Sequence, residues 1–141
     1  MKSTHHFSVV LCLAALSFSS TVWAEVVVVV GAKSPVNTLT KTQVSELYLG
    51  KAKDFPTGGA ALTTMIAAGA LKDEFLDKVL GKTDAQARSV WARLTFTGAG
   101  SAPKELGNSE EVKKLANSNP NVIGFIDKAA VDGQVKVIYA P

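Results

Sequence analysis

The stretch "TTMIAAGALKDEF", residues 63–75, holds the residue types on which non-covalent chemistry would turn. Thr63 and Thr64 carry hydroxyls, Gly69 permits a tight backbone turn, and Ala70, Leu71 and Lys72 open an amphipathic run. A strand that feeds a helix start through a glycine leaves unpaired N–H groups at the turn. Those donors and the helix dipole favour a negative charge. The expected chemistry is capture of a small anion by the main-chain amides of Gly69 to Lys72, with Thr63 and Thr64 as added donors. The same residues also read as a strand, a turn and a helix start packed on a core, with no ligand. A second candidate is "RLTFTGAGSAPK", where Arg93, Thr97 and the Gly-x-Gly at Gly98 and Gly100 sit in a flexible, polar segment. A Gly-x-Gly in a loop can form a concave run of backbone donors. Trp91 could stack on a ligand, but its spacing from Ala87 and Leu94 puts it on the apolar face of a helix.

The N-terminus narrows the remaining chemistry. Lys2 is followed by an apolar run from Phe7 to Phe18, and Val22-Trp23-Ala24 places small residues at a signal-peptidase site. The expected division is therefore a signal peptide over residues 1–24 and a single domain over residues 25–141. Cleavage removes Cys12, His5 and His6, which are the chain's only cysteine and histidines. A thiol nucleophile, an imidazole base, a disulfide framework and a His or Cys metal site are then excluded. No metal or other cofactor is expected. Asp73, Glu74 and Asp77 stand among lysines and read as a solvated face, so no enzymatic step is expected. The processed chain keeps 14 Lys and Arg against 12 Asp and Glu, interspersed, with no basic stripe that would imply nucleic acid.

The elements that must position these residues are legible in outline. "EVVVVV", ending at Gly31, is an unbroken β-branched run, expected to be buried on both faces as in a parallel sheet covered by helices. Thr40 and Gln43 form a capping box flanked by the staple pair Leu39 and Val44, and Gly50 is placed to end that helix. Ala60 to Ala67 predicts a strand. Leu71, Phe75, Leu76, Val79 and Leu80 predict a helix ended by Gly81, and Thr83 with Gln86 caps a third. "FTGAGSAPKELG" predicts a long loop, "SEEVKKLANSNP" a short helix and "NVIGFID" a buried strand. In "QVKVIYA" strict alternation puts Val135, Val137 and Tyr139 on one face and Lys136 and Ile138 on the other. The order is βαβαααββ, an α/β pattern.

In this order and spacing, "LYLGK", "W-x-R-L-x-F-T-G-x-G" and "NPNVIGFID" resemble the short, exported members of the phosphate-type periplasmic solute-binding protein family. The likeness covers essentially the whole chain after residue 24. It implies an α/β domain, a single periplasmic-binding-protein-like lobe with a mostly parallel or mixed sheet covered by helices. It also implies phosphate or a related small oxyanion as ligand and an ABC permease as partner. Larger relatives have two lobes, and this chain has the length of one. In those relatives the anion turn resembles Arg-Ser-x-Gly-Ser-Gly-Thr. Here Gly69 falls on a family glycine, Ala68, Ala70 and Leu71 stand at hydroxyl positions, and Thr64 or Met65 stands near the arginine. A lost neutral hydrogen bond is worth about 1 kcal/mol and a charged one about 1.5–3. Micromolar affinity amounts to roughly 8 kcal/mol, so these departures imply weak binding. Two other outcomes fit the same resemblance. The lobe is an adaptor for another envelope protein, or it homodimerises to rebuild a cleft.

Overall fold

A computed structural model describes Ala24–Pro141. The expected signal peptide thus lies outside the described residues, apart from Ala24. Five strands and four α-helices follow in order: β1 (Val26–Gly31), α1 (Lys41–Tyr48), β2 (Leu62–Ile66), α2 (Ala70–Phe75), α3 (Asp84–Thr97), β3 (Lys104–Leu106), α4 (Ser109–Ser118), β4 (Val122–Asp127) and β5 (Val135–Tyr139). The helix after Gly69 does not run uniformly: α2 passes into a π-helical turn over Leu76–Leu80. Among the described residues no helix is long and apolar enough to cross a membrane.

The strands form one mixed sheet in the order β3-β2-β4-β1-β5. β2 runs parallel to β3 and β4, whereas β1 is antiparallel to both β4 and β5. The five valines of β1 are all buried, as the unbroken run requires. The expectation that such a run marks parallel neighbours is corrected. What buries β1 is cover on both faces, and that is independent of strand direction.

The covering helices can be assigned from β4. Successive strand residues point to opposite faces. A Cβ on Gly124 would come within 2.6 Å of Val112 Cγ1 on α4 and 2.5 Å of Thr64 Oγ1. Phe125 stacks on Phe75 of α2, with ring centroids 4.2 Å apart and planes 13° apart. Tyr48 meets the edge of Phe75 at 4.7 Å. So α4 lies on one face and α2 on the other. The glycine of "IGF" is required by the close approach of α4.

The local signals hold in detail. Thr40 Oγ1 accepts from the Gln43 amide while Gln43 Oε1 accepts from the Thr40 amide, and Thr83 and Gln86 repeat the arrangement. Leu39 and Val44 are both buried. In β5 the alternation breaks. A bulge between Val28 and Val29 places Val28 opposite Tyr139 and Val29 opposite Val137, so Ile138 is the extra residue. Val135 and Ile138 are consequently buried and Val137 is exposed, which corrects the expected split of faces.

Two ion-pair systems tie the helices down. Lys72 reaches Asp84 at 2.8 Å, and Asp84 also receives Arg88 at 2.7 Å. Lys113 bridges Glu110 at 2.9 Å and Asp132 at 2.8 Å. The bond from Lys72, with Arg88 beside it, holds the Asp84 carboxyl below the usual carboxylate range. Lys113 and the Gln134 amide do the same for Asp132. A carboxyl whose pKa is lower in the folded state binds fewer protons there. Its stabilisation is therefore complete above the unfolded value of about 3.9 and is lost as pH falls through the folded value. Urea unfolding midpoints are expected to fall as pH drops below about 4. In Asp132→Asn that slope should be shallower, and an unchanged slope would show that the pair contributes nothing.

Candidate functional site

The site begins at the end of β2. Gly69 adopts φ 106° and ψ −176°, a region open essentially to glycine alone. It caps α2 without a side-chain hydrogen bond. The amides that follow, Ala70 to Lys72, are thus free of a side-chain cap. Ala70 and Leu71 border a concavity of about 330 Å³, lined also by Ala24, Ile66, Ala68, Gly107, Asn108, Ser109 and Asp127. This concavity lies at the C-terminal ends of β2, β3 and β4, beside the starts of α2 and α4. Crevices at the carboxyl ends of strands in open α/β sheets are where ligands bind.

The electrostatics of the concavity are mixed. The start of α4 is already satisfied from within: Asn108 Oδ1 accepts from the Glu111 amide at 3.0 Å, and Glu111 Oε2 accepts from the Gly107 amide at 2.6 Å. Ser109 Oγ accepts from the Asp127 amide at 3.2 Å. The donors left for an anion are therefore those of the β2–α2 turn. Among the described residues no lysine or arginine lines the concavity, and Asp127 contributes a carboxylate.

The residues singled out in the sequence do not converge on one point. Ala70 and Leu71 line the concavity, and Gly69 immediately precedes them. Lys72 is turned away from it: 5% exposed, its Nζ donates to Ala67 O at 3.1 Å and pairs with Asp84. It braces the turn from behind. Thr64 is buried in the core, where its hydroxyl donates to Ile123 O at 3.0 Å. Thr63, with Thr64, Ser101 and Lys104, borders a different concavity. Arg93 and Thr97 are exposed near the end of α3, where Thr97 Oγ1 donates to Arg93 O at 2.9 Å. Sequence reasoning missed Asn108, Ser109 and Asp127. The signal for the first two was the N-cap pattern "NSEE", which places their polar atoms at a helix start.

The motifs that carried the resemblance are largely packing devices. The Tyr48 hydroxyl donates to Thr64 O at 2.7 Å and reaches Ile123 O at 3.3 Å, and the Trp91 indole donates to Tyr48 O at 2.9 Å. Burial pushes the Tyr48 phenol far above its usual range, so it remains a donor. This network joins α1, β2, β4 and α3. Thr64→Val is expected to lower stability by about 1 kcal/mol through the lost hydroxyl and to leave phosphate affinity unchanged. Parallel denaturation and calorimetry would check both halves, and a loss of affinity would place Thr64 at the ligand.

No family model matches the chain, and no curated protein matches it. Solved structures do. One described as a phosphate ABC transporter substrate-binding protein from Clostridium perfringens, with bound phosphate, aligns at TM-score 0.64 and 20% identity, over 82% of this chain and 44% of that one. An ABC-type phosphate transport receptor from Vibrio cholerae aligns at TM-score 0.62 and 19% identity, over 82% and 45%. PstS from Borrelia burgdorferi aligns at TM-score 0.57 and 12% identity, over 82% and 46%. The chain therefore has the α/β fold of a periplasmic-binding-protein-like lobe. It spans less than half the length of these structures.

Proposed function

We propose that the chain is an exported solute-binding lobe that captures phosphate or a related small oxyanion at the β2–α2 turn. It would work in the periplasm with an ABC permease, and it carries out no catalytic step. One observation carries this reading: a glycine-only turn with no side-chain cap borders a concavity at the carboxyl ends of the strands. The bound phosphate in the Clostridium perfringens relative supports the ligand class. Because the amides act without an arginine and without the Thr63 and Thr64 hydroxyls, affinity in the millimolar range is expected, about 4 kcal/mol. A second copy of the chain, closing over the turn as a homodimer, would supply the wall that a single lobe lacks.

A second reading, an envelope interaction module with no transport ligand, is favoured by the lack of a cationic side chain among the described residues lining the concavity and by Asp127 at its edge. Titration calorimetry with phosphate and sulfate separates the two. Saturable heat with both anions supports the oxyanion reading. No heat and no thermal shift at millimolar anion would overturn it and leave the adaptor.

A further inference from the structure

A third concavity shares no lining residue with the one beside the β2–α2 turn, although Lys72 of that turn reaches it. It is a groove of about 490 Å³ between α3 and β3, within the range of small-molecule sites. Its apolar walls are Met65, Trp91, Ala92, Phe96, Ala102 and Pro103. Met65 and Trp91 are buried beneath it, while Phe96 is 93% exposed and so presents a nearly bare aromatic ring. The bare ring beside these buried apolar walls would gain by covering from an apolar occupant.

Its polar groups select the rest of that occupant. The Lys72 ammonium is committed to Asp84 and Ala67 O. The Thr95 hydroxyl is committed to Trp91 O at 2.9 Å. Arg88 differs. Among the described residues only its Nε is engaged, on Asp84 Oδ2 at 2.7 Å, and its side chain is 67% exposed. Asp84 meets two cations with one charge, so one positive charge is left over beside the apolar walls. The two terminal nitrogens of a guanidinium held in this way form a fork that fits a carboxylate. Glu105, also on the lining, penalises any further negative charge. A phosphate dianion would meet that repulsion and gain nothing from the walls.

We propose that this groove binds a small apolar monocarboxylate, its hydrocarbon body against Trp91, Phe96 and Pro103 and its carboxylate on the terminal nitrogens of Arg88. Trp91 supplies the readout. Trp23 is the only other tryptophan and falls in the expected signal peptide, so the processed protein from Glu25 onward reports from the groove alone. Phenylacetate is expected to change its emission saturably, with a Kd on the order of 1 mM for a ligand of about ten heavy atoms. 2-Phenylethanol should bind at least about tenfold more weakly, and Arg88→Gln should lose phenylacetate affinity by a similar factor, as for a hydrogen bond to a charged group. Phe96→Ser, at a side chain the fold does not bury, should weaken binding about fivefold. The proposal would be overturned by no saturable response to phenylacetate, by an equal response in Arg88→Gln, or by competition by phosphate. Emission that shifts with protein concentration alone would also overturn it, because a second copy would then be the occupant.

Discussion

Phe125→Ala should lower stability by about 3–5 kcal/mol, the range for deleting a buried aromatic side chain. Phe125 is fully buried and stacks on Phe75, which in turn meets Tyr48. These three rings join β4 to α2 and α1 at the centre of the molecule. Small domains are stable by only about 5–15 kcal/mol, so the variant should populate the unfolded state measurably in mild urea. A double-mutant cycle with Phe75→Leu should show coupling of about 0.5–1.5 kcal/mol from the ring pair. A stability loss below about 1 kcal/mol would show that the rings are not in mutual contact in solution.

Gly69→Ala should abolish anion binding while leaving the core packed. At φ 106° and ψ −176° an alanine is strained, at a cost of about 1–3 kcal/mol. No atom lies within 4 Å of the added Cβ, so the cost is confined to the backbone. The turn relieves it by rotating, and that rotation re-aims the amides of Ala70 to Lys72. Calorimetry should show the phosphate heat gone, with a modestly lower unfolding midpoint. Full phosphate affinity in this variant would mean that the anion binds elsewhere.

The sequence disclosed most readily what is decided locally. The two capping boxes at Thr40 and Thr83 depend on residues three apart, and both form as their spacing requires. Burial of the valines in β1 followed from their lack of alternation. The direction of its neighbours did not, because strand pairing is set by contacts about a hundred residues away. The bulge opposite Val28 and Val29 was invisible for the same reason, and it reverses the inward side of β5 after Val137. β3 escaped notice because Lys104, Glu105 and Leu106 form a three-residue edge strand with charged side chains.

The candidate site divides along the same line. The glycine turn could be located because its chemistry lies in consecutive backbone amides. The roles of Lys72 and Thr64 could not, since each depends on a distant partner: Asp84 for the lysine and Ile123 O for the threonine. Asn108, Ser109 and Asp127 reach the concavity from elements some forty to sixty residues further along the chain. The groove beside Phe96 needed the pairing of α3 with the β3 edge before it could be recognised.

Capture of an anion by the uncapped amides of one turn is tested most directly by amide-resolved NMR during a phosphate titration. The predicted result is a saturable downfield movement of the Ala70, Leu71 and Lys72 amide signals, absent in Gly69→Ala, with the amides at the start of α4 little changed. Movement spread over exposed lysines, or no movement at the turn, would contradict it.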